Sequence, residues 1–183
     1  MDAAQRELSD QIDDATQRLL GTARVIAESD LRAPSLLPGW TRAHVLAHLA
    51  RSADAMRNLL IGARSGTGRP AYASVEARAA GIEESAQQKA ADLVADVASA
   101  AMAFRTLTRQ LPDPAWLGQV QILGSVPFPV GQLLTRRLVE VELHHTDLGL
   151  AYTPADWTPS FLQLGLPEPM QSQRADRLTW FES

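Results

Sequence analysis

The sequence predicts an all-α fold: a four-helix bundle with long crossover connections and a short irregular C-terminal tail. Two observations indicate this fold. Apolar residues recur at three- and four-residue spacing over four long segments, which is the pattern of amphipathic helices. Clusters of proline and glycine separate these segments. At 183 residues, 45% of them hydrophobic, the chain is large enough to bury the core of such a bundle.

The predicted helices cover residues 4–29, 41–63, 74–110 and 130–151. Thr41 is a suitable N-cap for the second helix, because it follows a loop that contains two prolines and a glycine. Ser74 opens the third helix, which is rich in alanine. Residues 112–129 contain four prolines and two glycines, so they form either a short hairpin or a long crossover.

The pattern weakens near the C-terminus. Prolines in this region allow only short helical pieces, namely Pro154, Pro159, Pro167 and Pro169. We therefore predict a bundle domain over residues 1–155, followed by a tail over residues 156–183. This tail is either a lid packed on the bundle or the stub of a further domain.

Composition excludes several classes of function. The net charge of −4, without a basic stripe, predicts no nucleic-acid partner. The absence of a long apolar run predicts no membrane span, and the acidic N-terminus does not resemble a signal peptide, so we expect a cytoplasmic protein. The chain has no cysteine, which excludes disulfides, protein thiolate ligands and a cysteine nucleophile.

Three polar residues in apolar helical segments are the strongest candidates for chemistry. His48 lies in the second predicted helix, whereas Glu140 and His144 lie one turn apart in the fourth, on the same face. If the two helices pack together, two imidazoles and one carboxylate converge. This set of ligands is typical of catalytic zinc with one open coordination position.

The spacing alone leaves other interpretations open. His48 could be a boundary histidine of an amphipathic helix. Glu140 could form an ion pair with Arg136 or Arg137 in its own helix. The spacing therefore permits a metal site but does not require one.

Neighbouring polar residues receive separate interpretations. His44 is near the start of the second helix, at the rim of the site. Glu142 falls on the opposite side of the fourth helix from Glu140, and we predict that it is solvated. His145 could support the site or contact the substrate. Asp147 either orients a ligand imidazole or is a surface charge near the helix end.

Two sequence runs carry a resemblance to a known family. Residues 37–49 (LPGWTRAHVLAHL) and 137–149 (RLVEVELHHTDLG) resemble the two signatures of the mycothiol-dependent maleylpyruvate isomerases. Residues 70–78 (PAYASVEAR) are similar to the segment between these signatures. The resemblance covers roughly residues 5–155, and it places the chain in the DinB-like superfamily of metal-binding four-helix bundles.

The resemblance implies a metal site and a thiol cosubstrate. The ligands carry over to His48, Glu140 and His144, with zinc or another divalent ion as the metal and mycothiol or another small thiol as cosubstrate. Position alone makes Arg42, Arg137 and His145 candidates for contacts with the thiol or substrate, with Arg136 as a further candidate for a substrate carboxylate. We expect a small electrophilic substrate, and the sequence allows a homodimer.

The implied reaction is a cis–trans isomerisation. A thiolate adds to the cis double bond of maleylpyruvate, the adduct rotates about the resulting single bond, and elimination gives fumarylpyruvate. The alternatives are a thiol S-transferase that detoxifies electrophiles, or a non-catalytic bundle that binds a metal or a small molecule. Full-length family members carry a further C-terminal domain, whereas about thirty residues follow the fourth predicted helix here.

Overall fold

A computed structural model describes residues 1–182 and shows helices joined by loops, with one very short hairpin. In chain order the elements are α1 (Ala3–Ala23), α2 (Glu28–Leu31), α3 (Arg42–Ser65), α4 (Val75–Ala86), α5 (Ala90–Gln110), α6 (Asp113–Trp116), β1 (Gln119–Val120), β2 (Phe128–Pro129), α7 (Gln132–Asp147), a 3₁₀ turn (Pro154–Asp156), α8 (Pro159–Gln163) and α9 (Met170–Glu182). The prediction of an all-α fold is confirmed.

Four long helices, α1, α3, α5 and α7, form the bundle. Helix α3 packs against α4, α5 and α7, and α1 packs against α5 and α7. Because α3 has neighbours on several sides, nearly all its residues from Ala43 to Ala50 are buried, His48 among them. The packing of α3 on α7 places the two sequence signatures side by side.

The start of α3 is fixed by a capping box. Thr41 is the N-cap, and its hydroxyl accepts a hydrogen bond from the backbone N–H of His44. The imidazole Nδ1 of His44 in turn accepts from the backbone N–H of Thr41. The predicted N-cap is confirmed, and His44 has a structural task that the sequence pattern did not indicate.

The third predicted helix is wrong in one respect, because residues 74–110 form two helices. Contacts from α2 explain the break at residues 87–89. The guanidinium of Arg32 donates to the carbonyl oxygens of Ala86 and Gln88, at the end of α4. The carboxylate of Glu28 accepts from the backbone N–H of Ala90, at the start of α5 (2.7 Å). Side chains from α2 thus satisfy backbone groups that a continuous helix would pair internally.

Other boundaries also differ from the sequence pattern. The first helix ends at Ala23 instead of residue 29, and α2 is a separate turn. Within residues 112–129, the short hairpin is the alternative that forms: β1 and β2 are antiparallel, with Val120 opposite Phe128. Over residues 1–182, no helix combines the length and the apolarity needed to cross a bilayer.

The tail is more regular than its prolines indicate. Helix α9 has 13 residues and packs against α7. Trp157 and Phe161 are buried, and the indole N–H of Trp157 donates to the hydroxyl of Thr146 on α7 (3.1 Å). Residues after 155 therefore contribute to the core around α7. The division into domains at residues 155 and 156 stays a prediction.

Replacement of two glycines by alanine is expected to change the free energy of unfolding in opposite directions. Gly149 follows α7 with φ +64°, and a Cβ there would lie 3.2–3.3 Å from the side chain of Leu36. We expect Gly149→Ala to lower the free energy of unfolding by about 1–2 kcal/mol. Gly21 lies inside α1 with open space around it, so Gly21→Ala should raise that free energy by about 0.5–1 kcal/mol. Urea unfolding measures both, and a change of the same sign in both variants would contradict this account.

Candidate metal centre

His48 of α3 and Glu140 and His144 of α7 converge at the contact between these helices. The Nε2 atom of His48 lies 2.8 Å from Oε2 of Glu140, and Nε2 of His144 lies 3.6 Å from the same oxygen. The two imidazole rings are perpendicular, with centroids 4.7 Å apart. One candidate ligand atom from each residue lies within 4.8 Å of the other two. We call these three residues the trio.

The trio fits a metal ion better than it fits a closed set of hydrogen bonds. Oε2 of Glu140 is buried, and within residues 1–182 it has no well-aligned hydrogen bond, although Nε2 of His48 lies 2.8 Å from it. An unpaired carboxylate oxygen of this kind is costly to bury. Ligands bound tetrahedrally at 2.0–2.1 Å from zinc lie about 3.3 Å from one another. The observed separations of 2.8 and 3.6 Å lie on either side of this spacing.

Asp147 orients His144. Its carboxylate is completely buried, and Oδ2 lies 2.7 Å from Nδ1 of His144. An ionised carboxylate can only accept, so Nδ1 of His144 carries a proton, and Nε2 is the nitrogen that faces Glu140. Burial alone would raise the pKa of Asp147, but its hydrogen bonds with His144 and Arg177 hold that pKa below its usual value. Of the two interpretations of Asp147, the structure shows the orienting contact and not a surface charge.

Burial and mutual attraction act in opposite directions on the pKa values of Glu140 and His48. Burial would raise the pKa of Glu140, but the positive charge of His48, its contact and the charge of His144 lower it well below the ordinary range. Burial lowers the pKa of His48, and the attraction of Glu140 only partly opposes this shift. The contacts with His48 and His144 therefore favour the ionised form of Glu140, which is the form that a divalent cation needs from a carboxylate ligand.

Aromatic and basic side chains surround the trio. The Trp40 ring packs edge-on against the ring of His48, with centroids 5.5 Å apart. Arg78 of α4 places Nη2 3.4 Å from Nδ1 of His48, and its guanidinium lies 5.9 Å from the ring centroid of Tyr72. A separation of 3.4 Å is long for a hydrogen bond. The guanidinium of Arg78 is therefore close to the trio without being strongly bound to it.

Arg137 lies inside the bundle, near the trio. Its side chain is fully buried, and Nη1 donates to the backbone carbonyl of Leu49 (2.9 Å). Burial lowers its pKa to about 10, so it stays charged at neutral pH. Its charge helps to lower the pKa of Glu140, although no ion pair between these two side chains occurs among the described residues. Nε and Nη2 of Arg137 have no hydrogen-bond partner among residues 1–182. The role of Arg137 in contacting a thiol or substrate stays a prediction.

The other predicted contact residues are engaged elsewhere. The guanidinium of Arg42 donates to the backbone carbonyls of Asp30, Leu148 and Gly149, which ties the loop before α3 to the end of α7. The ring of His145 stacks on Tyr152 at 3.7 Å. The structure brings neither side chain into the trio, and their roles in binding a thiol or substrate stay predictions.

His145, Arg136 and His44 also contact residues outside the trio. Nε2 of His145 pairs with the hydroxyl of Thr22 on α1 (2.8 Å), which places this imidazole on the α1 side of α7. The guanidinium of Arg136 lies 4.0 Å above the ring of Phe128. His44 pairs with Glu83 of α4 (3.0 Å) and caps α3, in agreement with its predicted position at the rim.

The prediction that Glu142 is solvated is wrong. This residue is 1% exposed, and its carboxylate pairs with Arg18 of α1 (2.8 Å) and accepts a hydrogen bond from the hydroxyl of Tyr152. The physical reason is that α7 is buried on two faces. One face contacts α3 and carries Glu140 and His144, whereas the other contacts α1 and carries Glu142 and His145.

Sequence reasoning missed two residues with contacts at this site. Arg78 lies in the segment that is similar to the family between its two signatures, so a signal for it was present. Arg177 lies in the tail and donates to Asp147, and no pattern in the sequence indicates this contact.

One prominent cavity lies away from the trio. It has a volume of about 770 Å³ and lies between the end of α3 and the hairpin, lined by residues such as Leu59, Arg69 and Ile122. His48 is eleven residues before Leu59, or about 16 Å along the helix. The cavity lining holds one charged side chain and no metal-ligating group, so the chemistry of the trio identifies the better candidate site.

The comparison with protein families agrees with this geometry. A family profile described as the mycothiol maleylpyruvate isomerase N-terminal domain matches residues 12–149, which include all of the trio. The chain belongs to this family. A sequence comparison with curated proteins gives no significant match.

Solved structures show the same fold. The chain is similar to the crystal structure of the mycothiol-dependent maleylpyruvate isomerase, with a TM-score of 0.83 and 27% identity. It is equally similar to a mutant of that enzyme with one histidine replaced by alanine, with a TM-score of 0.83 and 26% identity. Each match covers 87% of this chain and 66% of the solved chain. The chain thus spans slightly less than two thirds of the solved structures that it matches.

Proposed function

We propose that this protein is a zinc-dependent enzyme that uses a small thiol to isomerise maleylpyruvate from cis to trans. Mycothiol is the first candidate for this thiol. The observation that carries the proposal is the convergence of the His48 and His144 imidazoles on one buried carboxylate oxygen of Glu140. Its family and the solved structures named above supply the reaction and the thiol.

In this proposal Nε2 of His48, Oε2 of Glu140 and Nε2 of His144 would hold the metal. A metal held there by three protein ligands would supply the positive charge that turns a coordinated thiol into a thiolate nucleophile. Asp147 holds the proton of His144 on Nδ1, away from the metal. Trp40 covers one side of His48 and limits access of water from that side.

The thiol must come from outside the chain, since the sequence contains no cysteine. The sulfur adds to one carbon of the cis double bond, and the electron pair moves onto the neighbouring carbonyl. Rotation then takes place about a single bond. Return of the electron pair expels the thiolate and restores the double bond in the trans arrangement, so that the thiol is not consumed.

Arg78 is the residue best placed to bind a carboxylate of the substrate. Its guanidinium lies beside His48 and Tyr72, and its contact with His48 is weak enough to be exchanged for an anion. Arginine binds carboxylates through two parallel hydrogen bonds, which fixes their orientation as well as their position.

Replacement of Arg78 by methionine is expected to raise KM for maleylpyruvate about 10-fold or more, the loss that follows from one charge-assisted pair. The zinc content should not change, because Arg78 is not a ligand. Steady-state kinetics and metal analysis measure the two effects. Arg64→Met is the matched control, since Arg64 is exposed near the other end of α3. An unchanged KM in Arg78→Met would exclude this role.

A screen of thiols tests the proposed function. Zinc-loaded protein is incubated with mycothiol, bacillithiol or glutathione, together with maleylpyruvate or with a model electrophile. Formation of fumarylpyruvate without loss of thiol supports the isomerase. Loss of the thiol into a stable conjugate with the electrophile indicates an S-transferase instead. Failure of every thiol to support either reaction would leave a non-catalytic binding bundle.

A further inference from the structure

The tail contacts the trio indirectly, through a buried ion pair. Arg177 of α9 donates from Nε to Oδ1 of Asp147 (3.1 Å) and from Nη2 to Oδ2 (2.9 Å). Arg177 is 8% exposed and Asp147 is 0% exposed. This two-point arrangement fixes the plane of the carboxylate as well as its position.

The same carboxylate oxygen serves both neighbours. Oδ2 of Asp147 accepts from Nη2 of Arg177 and also lies 2.7 Å from Nδ1 of His144. Without Arg177, a completely buried carboxylate would retain His144 as its only charged or polar side-chain partner among the described residues. Such a carboxylate is unfavourable unless it is paired, and its orientation would no longer be held from the opposite side.

Arg177 is itself held in place. Its guanidinium lies 4.8 Å from the ring of Trp180, and Nη1 donates to the backbone carbonyl of Gln173 within α9. The residue lies outside the segment of residues 12–149 that matches the family. The contact therefore belongs to the part of this chain that follows the family segment.

We infer that Arg177 is a positioning residue for the metal centre: it fixes Asp147, which in turn fixes the ring and the tautomer of His144. The inference rests on the proposed function insofar as His144 binds a metal. Helix α9 then contributes to the metal centre and does more than cover the bundle. Loss of a residue that contacts a metal ligand directly, as Asp147 contacts His144, changes affinity by roughly 10- to 100-fold. Arg177 lies one contact further away, so its loss should have an effect at the lower end of this range.

The experiment compares substitutions of two arginines of α9. Arg177→Met removes the pair with Asp147. Arg174→Met is the matched control: Arg174 also anchors α9, through the carbonyls of Phe161 and Leu164, but it does not contact Asp147. Arg177→Lys keeps the charge and loses the two-point contact, so it carries the test if Arg177→Met fails to fold.

Two readouts separate positioning from a loss of stability. Zinc affinity, measured by competition with a chelator, should fall about 10-fold in Arg177→Met and about 3-fold in Arg177→Lys, and should change less than 2-fold in Arg174→Met. In metal-free protein, ¹⁵N NMR of the His144 imidazole should show one tautomer, with the proton on Nδ1, in the unsubstituted protein and in Arg174→Met. In Arg177→Met a measurable share of the tautomer with the proton on Nε2 should appear, because the Asp147 carboxylate that accepts from Nδ1 is no longer held in one orientation.

The outcomes distinguish this inference from the proposed function. An unchanged tautomer and affinity in Arg177→Met would overturn the inference, and so would an equal loss in Arg174→Met, because docking of α9 alone would then explain the effect. If the unsubstituted protein binds no zinc, the proposed function fails. The NMR comparison in metal-free protein still tests whether Arg177 orients His144.

Discussion

Replacement of His48 by alanine is expected to abolish stoichiometric zinc binding and thiol-dependent turnover. In the proposed site His48 is one of three ligands and lies on a different helix from the other two, so its loss would leave only Glu140 and His144 on α7. Loss of a supporting residue alone weakens metal sites by up to about 100-fold, and loss of a ligand should exceed this. Metal analysis of purified protein and the isomerase assay measure the two effects.

His44 provides the control for this prediction. It is also a histidine of α3, one turn before His48, but it caps the helix and pairs with Glu83. We expect His44→Ala to cost about 1 kcal/mol of stability through the cap and to retain its zinc. Zinc retained in His48→Ala, or lost equally in both variants, would contradict the assignment of the trio.

Replacement of Glu142 by alanine is expected to lower the free energy of unfolding by about 2–4 kcal/mol. Its carboxylate is buried between α1 and α7 and has two partners, Arg18 and the hydroxyl of Tyr152. Removal leaves the Tyr152 hydroxyl buried without its acceptor and Arg18 without its counter-charge. The expected loss stays below that of a fully buried pair because the Arg18 side chain is 36% exposed. Urea unfolding measures it.

Two further substitutions make this second prediction specific. Glu84 is an exposed glutamate of α4, and Glu84→Ala should change stability by less than about 0.5 kcal/mol. A double-mutant cycle of Glu142→Ala with Tyr152→Phe should show coupling of at least about 0.5 kcal/mol, since the two groups share a hydrogen bond. Equal effects in Glu142→Ala and Glu84→Ala would mean that Glu142 is solvated, as the helical stripe predicts.

The trio could be predicted from the sequence because two of its three residues lie close together within a single helix. Glu140 and His144 share a face of one helix whatever the rest of the chain does, and the sequence runs around His48 supplied the second helix. The long helices could be predicted from the spacing of apolar residues, because this spacing does not depend on which helices pack together. What spacing does not provide is the contact of α3 with α7, and for that the resemblance was needed.

Other features depend on contacts between residues distant in sequence. At the break between α4 and α5, Glu28 of α2 and Arg32 directly after it satisfy the free backbone groups, and neither glycine nor proline marks the break. Glu142 was assigned to solvent because a helix with one buried face was assumed, whereas α7 is covered by both α1 and α3. Arg177 contacts Asp147 across 30 positions, and no periodic pattern reports such a pair.

X-ray absorption at the zinc edge of the loaded protein tests the central claim most directly. The account predicts one zinc per chain, bound by two imidazole nitrogens and one carboxylate oxygen at about 2.0–2.1 Å. The imidazole contribution should fall from two rings to one in His144→Gln and should not change in His44→Ala. A spectrum without imidazole ligands, or one that His144→Gln leaves unchanged, would contradict the claim that the trio is the metal centre.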